Sequence, residues 1–154
     1  KPLVEEAEKP FLVNTATGSM ETRKSINIQE LKQPKKFVKL MGSYMQSKFA
    51  MTLLLNDFAN KNNGIRVAHL NPGAIKTKMT AGSGMPALLK PIRNLLFSSP
   101  EKGASRIYNV AFDEKYAQQT AFFVNEGGKI KSFSKSLSPE ELIEIENCIT
   151  IKTV

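Results

Sequence analysis

The sequence predicts an α/β fold in which about three strands of a parallel sheet alternate with helices. Apolar, β-prone stretches occur at residues 11–16, 65–70 and 120–125, and stretches with helical spacing lie between them. Strands that alternate with helices are typical of parallel sheets, because two parallel strands must be joined by a crossover connection. A chain of 154 residues is long enough for one domain of this kind, or for part of a larger one.

The first predicted strand, residues 11–16, is apolar over most of its length, as in a strand that is covered on both faces. It leads into residues 15–19, a turn of small and hydroxyl-bearing side chains. Such residues form turns. They also suit a site at the carboxyl ends of the strands, where an α/β sheet usually places its ligand. The polar residues 20–36 show no sustained period and are predicted to be a long surface insertion.

A long helix is predicted over residues 38–62, where apolar residues recur at steps of three and four. The Asn-Asn-Gly sequence at positions 62–64 is a stop signal for this helix. The second strand, residues 65–70, is followed by an Asn-Pro-Gly sequence at positions 71–73. A strand does not continue through such a bend.

The rest of the chain is predicted to contain a loop, two further helices and the third strand. After the loop at residues 74–86, a helix over residues 100–112 begins with Ser99 as N-cap and Pro100 as first helical residue. The third strand covers residues 120–125, and a last helix covers residues 139–148. On the helix at 100–112, the apolar residues expected to face inward are Ala104, Ile107, Tyr108, Val110 and Ala111.

The composition is 41% hydrophobic and 23% charged, which is typical of a soluble globular domain and argues against a disordered chain. No apolar run approaches the length of a membrane span, and residues 1–10 do not resemble a secretory signal. The single cysteine, Cys148, cannot form an internal disulfide, which favours a reducing, cytoplasmic location. We expect Cys148 to lie in the core, as most free cysteines do.

The net charge of +8 raises the question of a nucleic-acid partner. However, the lysines are scattered, no aromatic stripe alternates with them, and no recognition motif is present. We therefore expect no nucleic-acid partner. The charge is interpreted as a solvated surface, with some steering of an anionic ligand.

Tyr44 and Lys48 form the strongest chemical signal in the sequence. They are four residues apart, so on a helix they share a face. A nearby ammonium favours the phenolate form of tyrosine and lowers its pKa toward neutrality, where the phenol can exchange a proton with a substrate hydroxyl or carbonyl. The competing interpretation is a chance pairing in a chain that is rich in lysine.

Other chemical patterns are weak or missing from the sequence. His69 falls in a predicted strand, which favours a buried core histidine over a catalytic one. There is no G-x-G-x-x-G pattern and no P-loop among the glycines. No cluster of His, Cys, Asp and Glu has the spacing of a metal site.

Three motifs, taken in order, resemble those of the short-chain dehydrogenase/reductases. They are Val13-Asn14-Thr15-Ala16-Thr17-Gly18, Tyr44-x-x-x-Lys48 and Asn71-Pro72-Gly73-x-Ile75-x-Thr77. The insertion before Tyr44 and the segment Ser99-Pro100-Glu101-Lys102-Gly103-Ala104 are similar to those of the retinol-dehydrogenase-like members. The resemblance covers nearly the whole chain, but only the C-terminal half of the family's fold.

The resemblance implies a role for each matched residue. Tyr44 would be the catalytic acid/base, and Lys48 would lower its pKa and bind the nicotinamide ribose. Thr17 stands where the family usually has serine. Its hydroxyl can donate to a substrate carbonyl oxygen, and Ser19 is the alternative residue for this role. Pro72 and Gly73 would bring the backbone close to the nicotinamide. Ile75 and Thr77 would contact the carboxamide, and Met79 would line the substrate pocket.

The resemblance also implies what accompanies this chain. The fold would be the C-terminal half of a Rossmann-like, doubly wound parallel sheet, with the N-terminal βαβ cofactor unit absent and the chain a fragment of a longer protein. Residues 77–97 would form a lid over a small carbonyl or alcohol substrate. The cofactor would be NAD or NADP, undetermined because the discriminating residue lies in the absent half. The helix of Tyr44 would pack against its copy in a homodimer.

Two functions from different classes follow. The first is the catalytic half of an NAD(P)(H)-dependent oxidoreductase that interconverts a carbonyl and an alcohol. The second is a nucleotide-binding, regulatory or dimerisation module on the same fold, which the threonine at position 17 favours.

Overall fold

A computed structural model describes residues 6–22, 25–35, 42–81, 91, 93–131 and 136–149 of this chain. Within these ranges the strands are β1 (Phe11–Thr15), β2 (Arg66–Leu70), β3 (Ala121–Val124) and β4 (Ile130–Lys131). The helices are α1 (Ile28–Lys32), α2 (Ser43–Lys61), α3 (Lys78–Ala81), α4 (Arg93–Leu96), α5 (Pro100–Phe112) and α6 (Pro139–Ile149). Short 3₁₀ turns cover Gly18–Glu21 and Glu114–Tyr116.

The predicted α/β class is confirmed, and the sheet is mostly parallel, in the order β1-β2-β3-β4. β1 pairs with β2 and β2 with β3 in parallel, whereas β4 pairs with β3 antiparallel. The three predicted strands are thus present and pair in parallel, whereas the fourth, antiparallel strand was not predicted. The chain reverses between Asn125 and Lys129, where Gly128 has a φ of 76°. β4 is two residues long, which is too short to show any periodicity in the sequence.

Helices cover both faces of the sheet. On one face, Phe49 and Leu53 of α2 pack against Phe123. On the other face, Val110 of α5 and Tyr116 pack in a cluster that includes Phe122. Neighbouring residues of β3 thus face opposite helices, as the pleat of a strand requires.

The helix α2 carries Tyr44 and Lys48 and is 19 residues long, from Ser43 to Lys61. Gly42 is its N-cap and Asn62 its C-cap, and Gly64 follows with a φ of 92°. A helix was expected from residue 38, but residues 38–41 lie outside the described part of the chain. The described part of the expected insertion contains the end of the 3₁₀ turn and the helix α1, with Asn27 as N-cap.

The expected inward face of α5 is confirmed for Val110, and Ala111 is half-buried, but the expectation was wrong for Ala104, Ile107 and Tyr108. Gly103 and Val110 are its buried residues, whereas Ile107 and Tyr108 are 38% and 63% exposed and Ala104 is exposed too. Apolar residues occupy more than one face of this helix, so its spacing alone did not tell which face meets the sheet. Cys148 was also expected in the core, but it is exposed on α6, where its Sγ donates to the carbonyl of Glu144. Among the described helices, none has the length and apolar character needed to cross a membrane.

Candidate active site

A cleft of about 580 Å³ opens at the carboxyl ends of β1 and β2, beside the first turns of α2. The strand ends place a turn of small residues on one side, the N-terminal part of α2 supplies two long polar side chains, and the bend after β2 closes another side. Six of the residues singled out in the sequence line this cleft together: Thr17, Tyr44, Lys48, Pro72, Gly73 and Ile75. Other lining residues are Met45, Asn71, Phe97 and Glu126.

Lys48 is anchored to the end of β1. Its Nζ donates to the carbonyl oxygen of Thr15 over 2.7 Å and lies 3.5 Å from Oγ1 of the same residue. An ammonium has three donors, so one donor beyond these two contacts is available at the cleft. Tyr44, one turn earlier on the same side of α2, is 42% exposed. The helix thus presents a phenol and an ammonium at the same opening.

The hydroxyl turn after β1 faces a thioether. Thr17 Oγ1 accepts from the backbone N–H of Ser19 over 3.4 Å and caps the 3₁₀ turn. The hydroxyls of Thr17 and Ser19 lie 3.7 Å and 3.2 Å from Sδ of Met45. Thioether sulfur is a weak acceptor, so a stronger acceptor entering the cleft can compete for the Thr17 hydroxyl. Ser19 does not line the cleft, and its described contacts keep it beside Met45.

The bend after β2 is held from both sides. The amide Oδ1 of Asn71 accepts from the N–H of Gly73 over 3.0 Å, and Gly73 has a φ of 78°. A Cβ built on Gly73 would lie 2.3 Å from the carboxyl carbon of Glu126, so the carboxylate packs directly on bare backbone. Arg106 donates to the carbonyl of Pro72, and its Nη2 lies 3.1 Å from Oε1 of Glu126. The positive φ therefore favours glycine at this position, and any side chain here would also have to displace the Glu126 carboxylate from its place beside Arg106.

The segment after the bend is ordered by threonine hydroxyls. Thr80 Oγ1 donates to the carbonyl of Ile75 over 2.8 Å and accepts from the N–H of Thr77 over 2.9 Å. The side chain of Ile75 packs on Gly103 of α5. Thr77 is exposed and is not part of the cleft lining, whereas Thr80 is. The side chain of Met79 and residues 82–90 and 92 of the expected lid lie outside the described part.

Beneath the cleft lies a cluster of polar side chains centred on His69, in which the partners Asn14 and Asn56 are half-buried. The side chain of His69 is fully buried and lies within hydrogen-bonding distance of Asn14 and Asn56. Burial lowers the pKa of His69 from 6.5 to about 4, because desolvation disfavours the charged imidazolium. His69 is neutral at physiological pH and does not line the cleft, which matches the expected core histidine.

Sequence reasoning missed four residues of the site: Met45, Asn71, Arg106 and Glu126. Two of them carried a readable signal. An Asn before Pro-Gly often hydrogen-bonds the backbone two residues later, and Glu126 follows the third parallel strand, at the edge where α/β sheets gather polar groups. Arg106 and Met45 carried none, because their roles depend on how α5 and the hydroxyl turn pack.

The described residues suit one end of a dinucleotide. The bare backbone at Gly73, the Lys48 ammonium and the Tyr44 hydroxyl are groups that could hold a nicotinamide and its ribose. The sequence offers no glycine-rich loop for the phosphates. Among the described residues, no group of three or more His, Cys, Asp or Glu side chains is placed to hold a metal ion. No protein-family model matches this chain, and no curated protein matches it either.

Proposed function

We propose that this chain is the catalytic part of an NAD(P)(H)-dependent oxidoreductase that interconverts a carbonyl and an alcohol. The observation that carries the proposal is the meeting of Thr17, Tyr44 and Lys48 in one cleft at the carboxyl ends of two parallel strands. Thr17 comes from the turn after β1, whereas Tyr44 and Lys48 come from α2, so a chance Tyr-x-x-x-Lys spacing does not account for the meeting of Thr17 with this pair. The cleft also lies where ligands bind in open α/β sheets.

The chain's residues divide the work on a carbonyl oxygen. In the direction of reduction, Thr17 donates a hydrogen bond to that oxygen, exchanging a weak thioether acceptor for a better one. Tyr44 then transfers its phenolic proton to the same oxygen as charge develops there. A nicotinamide cofactor supplies the hydride when it is bound.

Lys48 acts beside Tyr44 rather than on the substrate. Its contact with the Thr15 carbonyl fixes the ammonium at the rim of the sheet, and its remaining donor is directed to Tyr44 or to a ribose hydroxyl. A positive charge held there stabilises the negative charge that develops on the phenolic oxygen as the proton leaves. Gly73 provides the close backbone approach, and the Arg106–Glu126 pair keeps that bend in place.

The resemblance to the short-chain dehydrogenase/reductases also carries a proposal for the whole fold, its compartment and its partners. The mostly parallel sheet is taken as the C-terminal half of a Rossmann-like fold, in a protein of the cytoplasm that binds no nucleic acid. The outer face of α2, where Met51 is 43% exposed, is the surface for a homodimer.

The test is the substitution Tyr44→Phe, assayed in the natural full-length protein with NADH and NADPH and a panel of aliphatic and aromatic aldehydes and ketones. We expect turnover, followed by loss of the reduced-nicotinamide absorbance, to fall by about 100-fold or more without the phenol. Tyr108→Phe is the matched control, since Tyr108 is 63% exposed on α5 and is not part of the cleft lining. Equal rates in wild type and Tyr44→Phe would exclude the proposed acid/base role.

A second candidate is a nucleotide-binding or regulatory module that has lost turnover. The observation that favours it is the threonine at position 17, whose hydroxyl, like that of Ser19, points to Met45. On this hypothesis the wild-type protein binds a nucleotide but reduces no carbonyl, and Tyr44→Phe leaves the binding unchanged. The same assay therefore separates the two candidates.

A further inference from the structure

A chain of polar side chains runs beneath the cleft and joins β1, β2 and α2. Nδ2 of Asn14 lies 3.1 Å from Nδ1 of His69, and Nε2 of His69 lies 2.8 Å from Oδ1 of Asn56. Nδ2 of Asn14 also lies 3.4 Å from Oγ1 of Thr52, which donates to the carbonyl of Lys48 over 3.0 Å. His69 and Thr52 are fully buried. The chain therefore ends on the backbone of a residue in the proposed machinery.

Each bond in this chain has one direction. Nδ2 of Asn14 can only donate, so Nδ1 of His69 accepts and the ring proton of the neutral imidazole lies on Nε2. That N–H then donates to Oδ1 of Asn56, which can only accept. The hydroxyl of Thr52 accepts a hydrogen bond from Asn14 and donates one to the carbonyl oxygen of Lys48. The lowered pKa of His69, about 4, agrees with a neutral ring in this position.

Lys48 is consequently held twice by neighbouring residues of β1. Its Nζ binds the carbonyl of Thr15, while its own carbonyl is bound through Thr52 to Asn14. The apolar contacts of α2 are not directional and tolerate small shifts of the helix along the sheet. Hydrogen bonds are directional, and a buried polar group left unpaired is costly. Three of the bonds join α2 to the sheet, namely Asn14–Thr52, His69–Asn56 and Lys48–Thr15, and the position of α2 in which all three form is therefore preferred.

We propose that Thr52 and His69 are positioning residues, which fix α2 on the sheet so that Lys48 and Tyr44 stand at the cleft. The catalytic consequence rests on the proposed function, whereas the positioning itself does not require turnover. Neither residue lines the cleft, so both act through Lys48.

The directions of these hydrogen bonds can be determined by NMR, because His69 is the single histidine of the sequence. In protein labelled with ¹⁵N-histidine, the two ring nitrogens give the signals of this residue alone. We expect the neutral Nε2–H tautomer at neutral pH. An Nδ1–H tautomer or an imidazolium at neutral pH would contradict the hydrogen-bond directions described for His69.

The positioning is tested by Thr52→Val, which keeps the shape of the side chain but can neither accept from Asn14 nor donate to Lys48. We expect the ¹³C carbonyl signals of both Lys48 and Thr15 to shift, and the ¹⁵N signals of His69 to move with them. Turnover number should fall about three- to tenfold, as for the loss of one hydrogen bond, with KM little changed. Thr52→Ser keeps the hydroxyl and should restore all of these properties.

The outcomes separate this inference from the proposed function. If the wild type reduces no carbonyl, the oxidoreductase proposal fails, but the carbonyl signals of Lys48 and Thr15 still decide the positioning. If those signals are the same in Thr52→Val and wild type, Thr52 does not position Lys48 and the inference is wrong. Should Thr52→Val not fold, His69→Gln serves instead. Its amide nitrogen can take the place of Nε2 and donate to Asn56, but its oxygen does not then stand where Nδ1 accepts from Asn14. An unchanged Thr15 signal in this variant would equally overturn the inference.

Discussion

Mild acid should destabilise this protein through His69. The side chain is fully buried, and its described hydrogen-bond partners, Asn14 and Asn56, are neutral amides. Protonation would also require Nδ1 to become a donor while it faces the donor Nδ2 of Asn14. The imidazolium is thus disfavoured both by desolvation and by its neighbour.

The magnitude follows from the pKa of His69, which falls from 6.5 in the unfolded chain to about 4 in the folded one. Between these values the unfolded state binds the proton more readily than the folded state, so the free energy of unfolding decreases as the pH falls. The contribution of His69 is complete above the unfolded pKa and is lost by the folded pKa. At about 1.4 kcal/mol per pKa unit, this loss amounts to about 3 kcal/mol.

The measurement is urea unfolding at about pH 7 and about pH 4, the two ends of the titration, in wild type and in His69→Gln. The chain contains no tryptophan, so far-UV circular dichroism is the suitable probe. His69→Gln will lose some stability at neutral pH, because one hydrogen bond is not replaced. It should nevertheless lose about 3 kcal/mol less than wild type between the two pH values.

Because wild type and His69→Gln are compared over the same change of pH, the contributions of other acids to the stability loss cancel. Glu101, Asp113 and Glu140 have pKa values lowered by hydrogen bonds within their own helix starts and turns, and both proteins retain them. If wild type and His69→Gln lose the same free energy on acidification, His69 is not a buried neutral group. The hydrogen-bond directions assigned to it would then be wrong.

Two other predictions test the bend and the cofactor. Alanine at Gly73 should cost about 1–2 kcal/mol, because it combines a φ of 78° with a carboxylate 2.3 Å from the new Cβ. Urea unfolding should give a larger loss of stability for Gly73→Ala than for two controls. Gly64→Ala has a φ of 92° but open space around the new Cβ, and Gly127→Ala has neither a positive φ nor a close contact. Equal losses at Gly73 and Gly64 would mean that Glu126 does not constrain the bend. Calorimetry should find only weak binding of NADH or NADPH to the 154-residue chain, since its sequence has no glycine-rich phosphate loop; tight binding would show that this loop is dispensable.

Local patterns predicted the elements that position the cleft. The Ser-Pro start of α5 is present, with Ser99 accepting from the N–H of Lys102. The Asn-Pro-Gly sequence does end β2, and α2 ends before Gly64. These signals are local because caps and turns depend on the conformations of only a few neighbouring residues. What they leave open is the way in which one element faces another.

The wrong predictions concern features that depend on how one element packs against another. The sequence of α5 is apolar on more than one side. Its contact with the sheet runs through Val110, its Gly103 packs on Ile75, and Tyr108 is exposed. The antiparallel β4 is too short to be recognised, and it forms because the turn at Asn125 sends the chain back along β3. Neither feature is specified by the segment in which it occurs.

In the candidate site, too, local patterns were predicted and the packing between elements was not. The Tyr44–Lys48 spacing predicted a shared face of a helix, and the strand ends predicted an edge, but neither pattern predicts what holds the helix above that edge. In the structure this is done by polar groups distant in sequence, since Asn14 and Thr52 are 38 positions apart and Asn14 and His69 are 55 apart. Asn, Thr and His in predicted strands and helices read individually as unremarkable residues. Their joint effect depends on a β1–β2 register in which Asn14 stands directly beside His69. That register brings the half-buried amide of Asn14 against the fully buried imidazole of His69, beneath the proposed catalytic lysine.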